Sequence, residues 1–379
     1  MDYSPAAVFP FELWVNITLT LRDSFLCIHG IDGKPCLQDK CPSLKSSMGI
    51  RPLSETCHFL RGIVQPILYA SVNLNVPSWG GLRRLTSLSS TLSARPDLRL
   101  SIRSLELVGI DPGSHCDALL KVVPLLVNVQ FLSLKSIIVT MAIVELLLNA
   151  TQLHTLHMSD FQWAEDVPEA WSEGGLHGRN IKKLELDGWE AIEVNHVGRT
   201  SQLLFPGIEE LKASPQLIRK VKNSPSYLSF GHSLVRLDTW TTNPDSKQTL
   251  YELLSRSPKI EELHAQGGID GLDFNEAFLP KLLLIDANMS LVTALLPGRP
   301  IRSITAVANL DLFLEPLPNL EVLNLRWFPG DESGLNVITA LLAACPGLIR
   351  LELRSDGDDS GTGWEVCFHV SSMLFFRLC

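Results

Sequence analysis

Residues 181–187 read Ile181-Lys182-Lys183-Leu184-Glu185-Leu186-Asp187. Three apolar side chains stand at i, i+3 and i+5, with charged residues between and after them. The last two share one face of an extended segment, because side chains of a strand alternate between faces. A single short strand with one apolar face is not stable alone and asks for neighbours of the same kind. The chain supplies them. The same spacing opens at Ile102, Val129, Leu153, Ile181, Ile208, Leu234, Ile260, Leu282, Ile301, Leu320 and Leu348. Ten steps separate 102 from 348, a mean period of about 25 residues. The 66 leucines, against 15 phenylalanines and 4 tyrosines, are the compositional trace of that repetition.

A template of this form and period resembles the leucine-rich repeat, over roughly Ile102 to Leu353. The resemblance implies an α/β solenoid: a curved parallel β-sheet, with helices and loops on its convex side. Return helices are expected at Ser114–Val122, Thr140–Leu148, Gln248–Arg256 and Leu335–Ala344. Pro206, Pro258, Pro280, Pro318 and Pro346 each stand two residues before a first apolar position, where proline ends a helix and extends the chain. Two departures from the family stand out. Its usual Asn or Cys after the strand is matched only by Asn309, and Ile110, Ile137, Phe161, Trp189 and Phe328 take that place as apolar wedges. The third strand position also shrinks to Ala or Thr in five consecutive repeats, from Ala213 to Ala306.

Ahead of the repeats, Phe9-Pro10-Phe11-Glu12-Leu13 leads into a helical spacing at Leu13, Ile17 and Leu21. Proline and an acid in the first turn suit a helix N-terminus. Leu53-Ser54-Glu55-Thr56-Cys57 and Gln65-Pro66-Ile67-Leu68-Tyr69 follow. Together these pieces resemble an F-box, over about residues 8–74. That resemblance implies a small helical module docking on a Skp-type adaptor and joining a cullin-based ubiquitin ligase, with Phe9, Pro10, Leu13, Ile17 and Leu53 facing the adaptor. The alternative is an amphipathic cap that seals the first repeat. A polar stretch at 22–50 interrupts the family pattern as an inserted loop. The expected domains are a helical module at 1–75, repeats at 76–355, and a C-terminal tail or incomplete cap at 356–379.

Composition narrows the function classes. Net charge is −9 with no basic cluster, which argues against nucleic acid as a partner. The longest nearly apolar run, Ile137 to Leu148, is too short to span a bilayer, so no membrane role is expected. With no cation before Arg22, the N-terminus does not read as a secretory signal, and a cytoplasmic or nuclear location is expected. The eight cysteines then read as reduced thiols, and the sequons at Asn16, Asn149 and Asn288 as chance matches. No C-x-x-C pair supports structural zinc. Gly30–Lys34 lacks the rest of a phosphate loop, and Gly231-His232-Ser233 lacks the second glycine of a nucleophile elbow. Asp358-Asp359-Ser360-Gly361 reads as a solvated loop. No enzymatic activity, cofactor or metal is expected.

Alternation places a second set of residues opposite the core. The row between the strand's apolar positions runs Glu106, Ser133, His157, Glu185, Lys212, Asp238, His264, Asp286, Thr305, Asn324 and Glu352. The next row adds Trp240, Arg326 and Arg354, among others. From these, His157, Glu185, Asp238, Trp240, His264 and Arg326 are the expected target-binding residues, with Trp240 as an aromatic anchor. The expected function is a substrate-recognition adaptor, with a protein-binding scaffold lacking any ligase link as the alternative.

Overall fold

The computed structural model describes residues 13, 15–17, 51, 53, 55, 58–75, 80–109, 118–169, 171, 180–187, 197–204, 207–221, 230–240, 246–267, 274–275, 278–308, 316–327, 343–355 and 365–369. All eleven template blocks carry a strand at the expected place. The chain divides into two compact units, residues 1–157 with 161–167, and residues 158–160 with 168–379.

In the first unit, helix α1 (His58–Tyr69) runs into strand β1 (Ser71–Asn75). Helices α2 (Gly80–Ala94) and α3 (Pro96–Arg99) lead to β2 (Ser104–Val108) and β3 (Phe131–Lys135). Strands β1, β2 and β3 pair in parallel and in register, Leu74 beside Leu107 and Leu105 beside Leu132. Strand β1 went unassigned from the sequence because its first template position is Tyr69 and its remaining residues are mostly polar. A separate two-stranded parallel sheet joins β4 (Ile138–Val139) to β6 (Gln162–Trp163). Helix α4 (Met141–Asn149) starts at Thr140, as expected, but the Thr140 side chain makes no capping bond. The unit boundary falls within β5 (Thr155–Ser159).

In the second unit the strands follow chain order: β7 (Lys183–Asp187), β8 (Glu210–Ala213), β9 (Arg236–Trp240), β10 (Glu262–Gln266), β11 (Leu284–Asn288), β12 (Ser303–Ala308), β13 (Val322–Trp327) and β14 (Arg350–Ser355). All pair in parallel. A last strand, β15 (Glu365–His369), lies antiparallel on β14 with Glu365 opposite Arg354. Helices α5 (Val197–Ser201), α6 (Pro215–Val221), α7 (Ser246–Ser255) and α8 (Met289–Leu295) fill return segments.

One backbone device starts ten of the strands, β2, β3, β5 and β8 to β14. The carbonyl of residue 209 accepts two successive amides from the next repeat, Val235 at 2.7 Å and Arg236 at 3.0 Å. The same double acceptance recurs at Arg103, Glu261, Leu283, Arg302 and Glu321. It satisfies the amides that precede each strand and pins the register before the apolar positions begin. At the far end of several strands the chain turns through a left-handed residue: Gly109, Ser136, Asp160 and Gly267. Ile137 and Phe161 follow two of these turns and are buried, so an apolar wedge holds the turn there.

The core is the row of template side chains. Leu105, Leu132, Leu184, Leu211, Leu237, Leu263, Ile285, Ile304, Leu323 and Leu351 are all buried. Each contributes about 1.5–3 kcal/mol before ordering entropy is counted. The small residues Ala213, Thr239, Ala265, Ala287 and Ala306 are buried too. Beyond the strands, Tyr251, Phe274 and Phe278 form a ring cluster with centroids 4.8–5.6 Å apart. Adjacent repeats also meet closely at their turns. A Cβ on Gly347 would stand 2.6 Å from the Pro318 carbonyl oxygen.

Candidate functional site

The strand residues between the core positions point to the other face, and parallel register turns them into a continuous ladder in the second unit. Glu185 stands beside Lys212, Lys212 beside Asp238, Asp238 beside His264 and His264 beside Asp286. Thr305, Asn324 and Glu352 continue it. Signs alternate through the first part, which suits cross-strand neighbours about 4.8 Å apart, since like charges directly opposite are unfavourable.

Specific contacts hold these side chains. Lys212 Nζ lies 3.3 Å from Asp187 Oδ2, and Glu185 is 3.1 Å from Lys183 Nζ. His264 Nδ1 is 3.4 Å from Asp286 Oδ2, while its Nε2 is buried without a partner among the described residues. Burial is the largest influence on Asp238 and raises its carboxyl above the usual range, against the attraction of His264, Lys212 and Arg236. Lys212 shows the opposite balance: burial lowers it, but Asp187, Glu185 and Asp238 together leave it raised.

The expected target-binding residues fall into separate groups. Glu185, Asp238 and His264 share the ladder, and half-buried Trp240 lies beside Gln266 on the same face. Arg326 is exposed on β13, four strand steps from β9, so it stands about 19 Å from Trp240 and belongs to another part of the face. His157 lies in the first unit, where its Nδ1 is 3.3 Å from Ser133 Oγ. In that unit Glu106 accepts from Asn73 Nδ2 and pairs with Lys135 at 2.9 Å.

Two members of the expected row are not solvent-facing. Ser133 is buried, and so is Glu352, whose carboxylate sits between Arg350 Nη2 at 2.8 Å and Arg354 Nε at 2.9 Å. Flanking guanidiniums satisfy both oxygens of Glu352 and allow it to be covered. Sequence reading also missed the row one step earlier, Lys183, Glu210, Arg236 and Glu262. Lys183 pairs with Glu210 at 3.7 Å and Arg236 with Glu262 at 3.2 Å. Its signal was present, as alternating sign at the position before each strand leucine. Exposed pairs of this kind stabilise by about 0–1 kcal/mol, so they set surface pattern more than stability.

Of the expected adaptor-facing residues, Leu13 and Ile17 lie on helical backbone and are 40% and 37% exposed. Leu53 is helical and half-buried. Phe9 and Pro10 lie outside the described residues, as does the whole of the 22–50 insertion. Cys345 is buried as a free thiol, with burial raising it above its usual range. Among the described residues no cluster of His, Cys, Asp or Glu is arranged to hold a metal ion. No described helix is long and apolar enough to cross a membrane.

The register, the buried template rows and the repeated double acceptance define a leucine-rich-repeat architecture. No protein-family model matches the sequence, and no curated protein matches it. Among solved structures, an internalin from Listeria monocytogenes aligns with 80% of this chain and 87% of its own, at 13% identity and TM-score 0.33. The complex of Rad7 and Elc1 from yeast aligns with 75% of this chain and 86% of that one, at 14% identity and TM-score 0.31.

Proposed function

We propose that the chain is a substrate-recognition adaptor of a cullin-based ubiquitin ligase: the N-terminal segment docks a Skp-type adaptor, and the repeats capture a protein target. On this reading the protein does no chemistry itself and needs no cofactor. It supplies proximity between target lysines and a conjugating enzyme, in the cytoplasm or nucleus. The observation that carries it is the pair Leu13 and Ile17, one helical turn apart and both exposed, in a segment resembling an F-box. Apolar side chains at that spacing form a stripe that a partner groove covers.

The test is a pull-down with a purified Skp-type adaptor. Wild-type protein is expected to be retained, and Ile17→Asp to lose retention with an unchanged melting temperature. The half-buried polar ladder supports a second reading, a protein-binding scaffold with no ligase link. Failure of the wild-type protein to bind the adaptor leaves that reading standing.

A further inference from the structure

Strand β1 is the outermost of its sheet: β2 lies on one side, and no strand lies on the other among the described residues. The Ala70 carbonyl accepts the amides of Arg103 at 3.0 Å and Ser104 at 2.9 Å. The main chain of residues 70, 72 and 74 therefore turns toward β2. By alternation, Ser71, Asn73 and Asn75 turn their main-chain N–H and C=O groups to the open side. All three are exposed. An open edge of this kind is a template for one more strand.

A groove of about 410 Å³ opens between β1 and α2, within the size range of ligand sites. Buried Leu74 and Leu88 line it, together with Thr91 and the exposed Arg83, Arg84 and Ser87. Its charge is unbalanced. Residues 58–109 carry six arginines and two carboxylates, in a chain of net charge −9. Both carboxylates are taken, Asp97 by Arg95 at 2.7 Å and Glu106 by Lys135 at 2.9 Å. Arg83 and Arg84 make no ion pair or hydrogen bond among the described residues. They also stand near the N-terminal end of α2, whose first turn holds no acid, so the helix dipole opposes them. Thr86 and Ser90 give their hydroxyls to carbonyls one turn back, at 2.8 and 3.0 Å, whereas Ser87 and Thr91 in the groove do not.

We propose that an extended, glutamate-bearing segment of a partner protein adds to the open edge of β1 and lays a glutamate in this groove, its methylenes on Leu74 and Leu88 and its carboxylate on Arg83 and Arg84. Main-chain bonds to an edge strand supply affinity, and the groove beside the edge selects the side chain. A guanidinium offers paired donors that match a carboxylate, and an anion here meets the favourable end of the α2 dipole. Charge complementarity fixes the occupant, since an apolar or basic segment leaves both cations unpaired. The inference rests on the protein-binding reading above for the carrier of the glutamate. It uses the first unit, not the polar ladder of the second, and needs no ligase link.

The test is fluorescence anisotropy of the full chain with a fluorescein-labelled peptide in which glutamate alternates with valine. Three counterparts serve as the other arms: glutamine for glutamate, phosphoserine for glutamate, and the same peptide N-methylated at each glutamate. Residues whose side chains enter the groove turn their amides to β1, as residues 72 and 74 turn theirs to β2, so N-methylation blocks the pairing. The glutamate peptide is expected to bind about tenfold or more tighter than the glutamine and N-methylated ones, and to weaken as salt is raised. Arg83→Gln combined with Arg84→Gln is expected to lose about tenfold in affinity. Because both side chains are exposed, the melting temperature of that variant should match wild type. No binding by the wild-type chain, equal binding of the glutamine peptide, or unchanged affinity in the double variant overturns the site. Undiminished binding of the N-methylated peptide overturns strand addition, and markedly tighter binding of the phosphoserine peptide overturns the choice of carboxylate. Adaptor retention by the double variant is read in parallel, so loss of the ligase link and loss of the groove are separate outcomes.

Discussion

Arg299 Nε donates to the carbonyl oxygen of Phe278 at 2.6 Å, joining residues 21 apart in the chain. The same guanidinium reaches the carbonyls of Leu295 at 2.8 Å, Pro297 at 2.9 Å and Asn275 at 2.7 Å. It is buried, and it ties the end of α8 to the segment that carries Phe278, whose ring meets Phe274 and Tyr251 of α7. A cation at the C-terminal end of a helix also meets the favourable end of the helix dipole.

Arg299→Met keeps much of the aliphatic volume but leaves four carbonyls without this donor. Each buried unpaired group costs about 1–3 kcal/mol, and part of that is recovered by water. A loss of about 3 kcal/mol in urea unfolding is expected. Arg299→Lys should fall between the two, because one ammonium cannot address carbonyls spread over a planar fork. A Met variant as stable as wild type would show that water replaces the guanidinium at little cost.

Asn288 links two repeats through one amide. Its Oδ1 accepts from Leu291 N at 3.0 Å as the N-cap of α8, and its Nδ2 donates to the Gly267 carbonyl at 2.9 Å. Asn288→Ala should cost about 1–2 kcal/mol, the usual loss for a cap plus a second bond. Asn288→Asp keeps the cap acceptor and removes the donor, so it should recover part of the loss. Chemical denaturation of the three proteins separates the contributions.

The contrast between Leu184 and Arg299 shows how much the sequence could reveal. Leu184 and Leu186 declare their face through a period of two, and register follows because every neighbour repeats the pattern. The polar row between the core positions was legible for the same reason, while the row at Lys183, Glu210, Arg236 and Glu262 was missed. Glu352 was assigned to the right row but to the wrong environment, because its cover depends on Arg350 and Arg354 folding over it. Arg299 and Asn288 belong to no periodic row, and their partners lie 21 residues upstream at Phe278 and Gly267. Bonds from side chains to distant backbone leave no sequence pattern.

Trp240 lies half-buried beside Gln266 on the polar face, on the same strand as Asp238. An aromatic side chain there offers a large contact area at low entropy cost, and anchors of this kind contribute about 2 kcal/mol or more. Trp240→Ala is expected to weaken target capture at least about tenfold, with little change in melting temperature. Equal losses in both would assign Trp240 to packing between repeats instead.

Asp238 makes the stability of the second unit depend on pH. Burial raises its carboxyl above the ordinary value of 3.8, and the attraction of His264, Lys212 and Arg236 does not cancel the effect. A raised value means that the folded chain holds the proton more tightly than the unfolded chain. The stability this supplies is complete below the ordinary carboxyl value and is lost as pH rises through the raised one. At neutral pH the ionised Asp238 therefore lowers stability. Asp238→Asn removes the charge and keeps the shape, while Lys212 retains Asp187 at 3.3 Å. The variant should melt above wild type at pH 7, and the two curves should converge as pH falls below about 4. Thermal melts across that range decide it: an Asn variant that melts below wild type at pH 7 would mean that the attraction of Lys212, His264 and Arg236 outweighs burial.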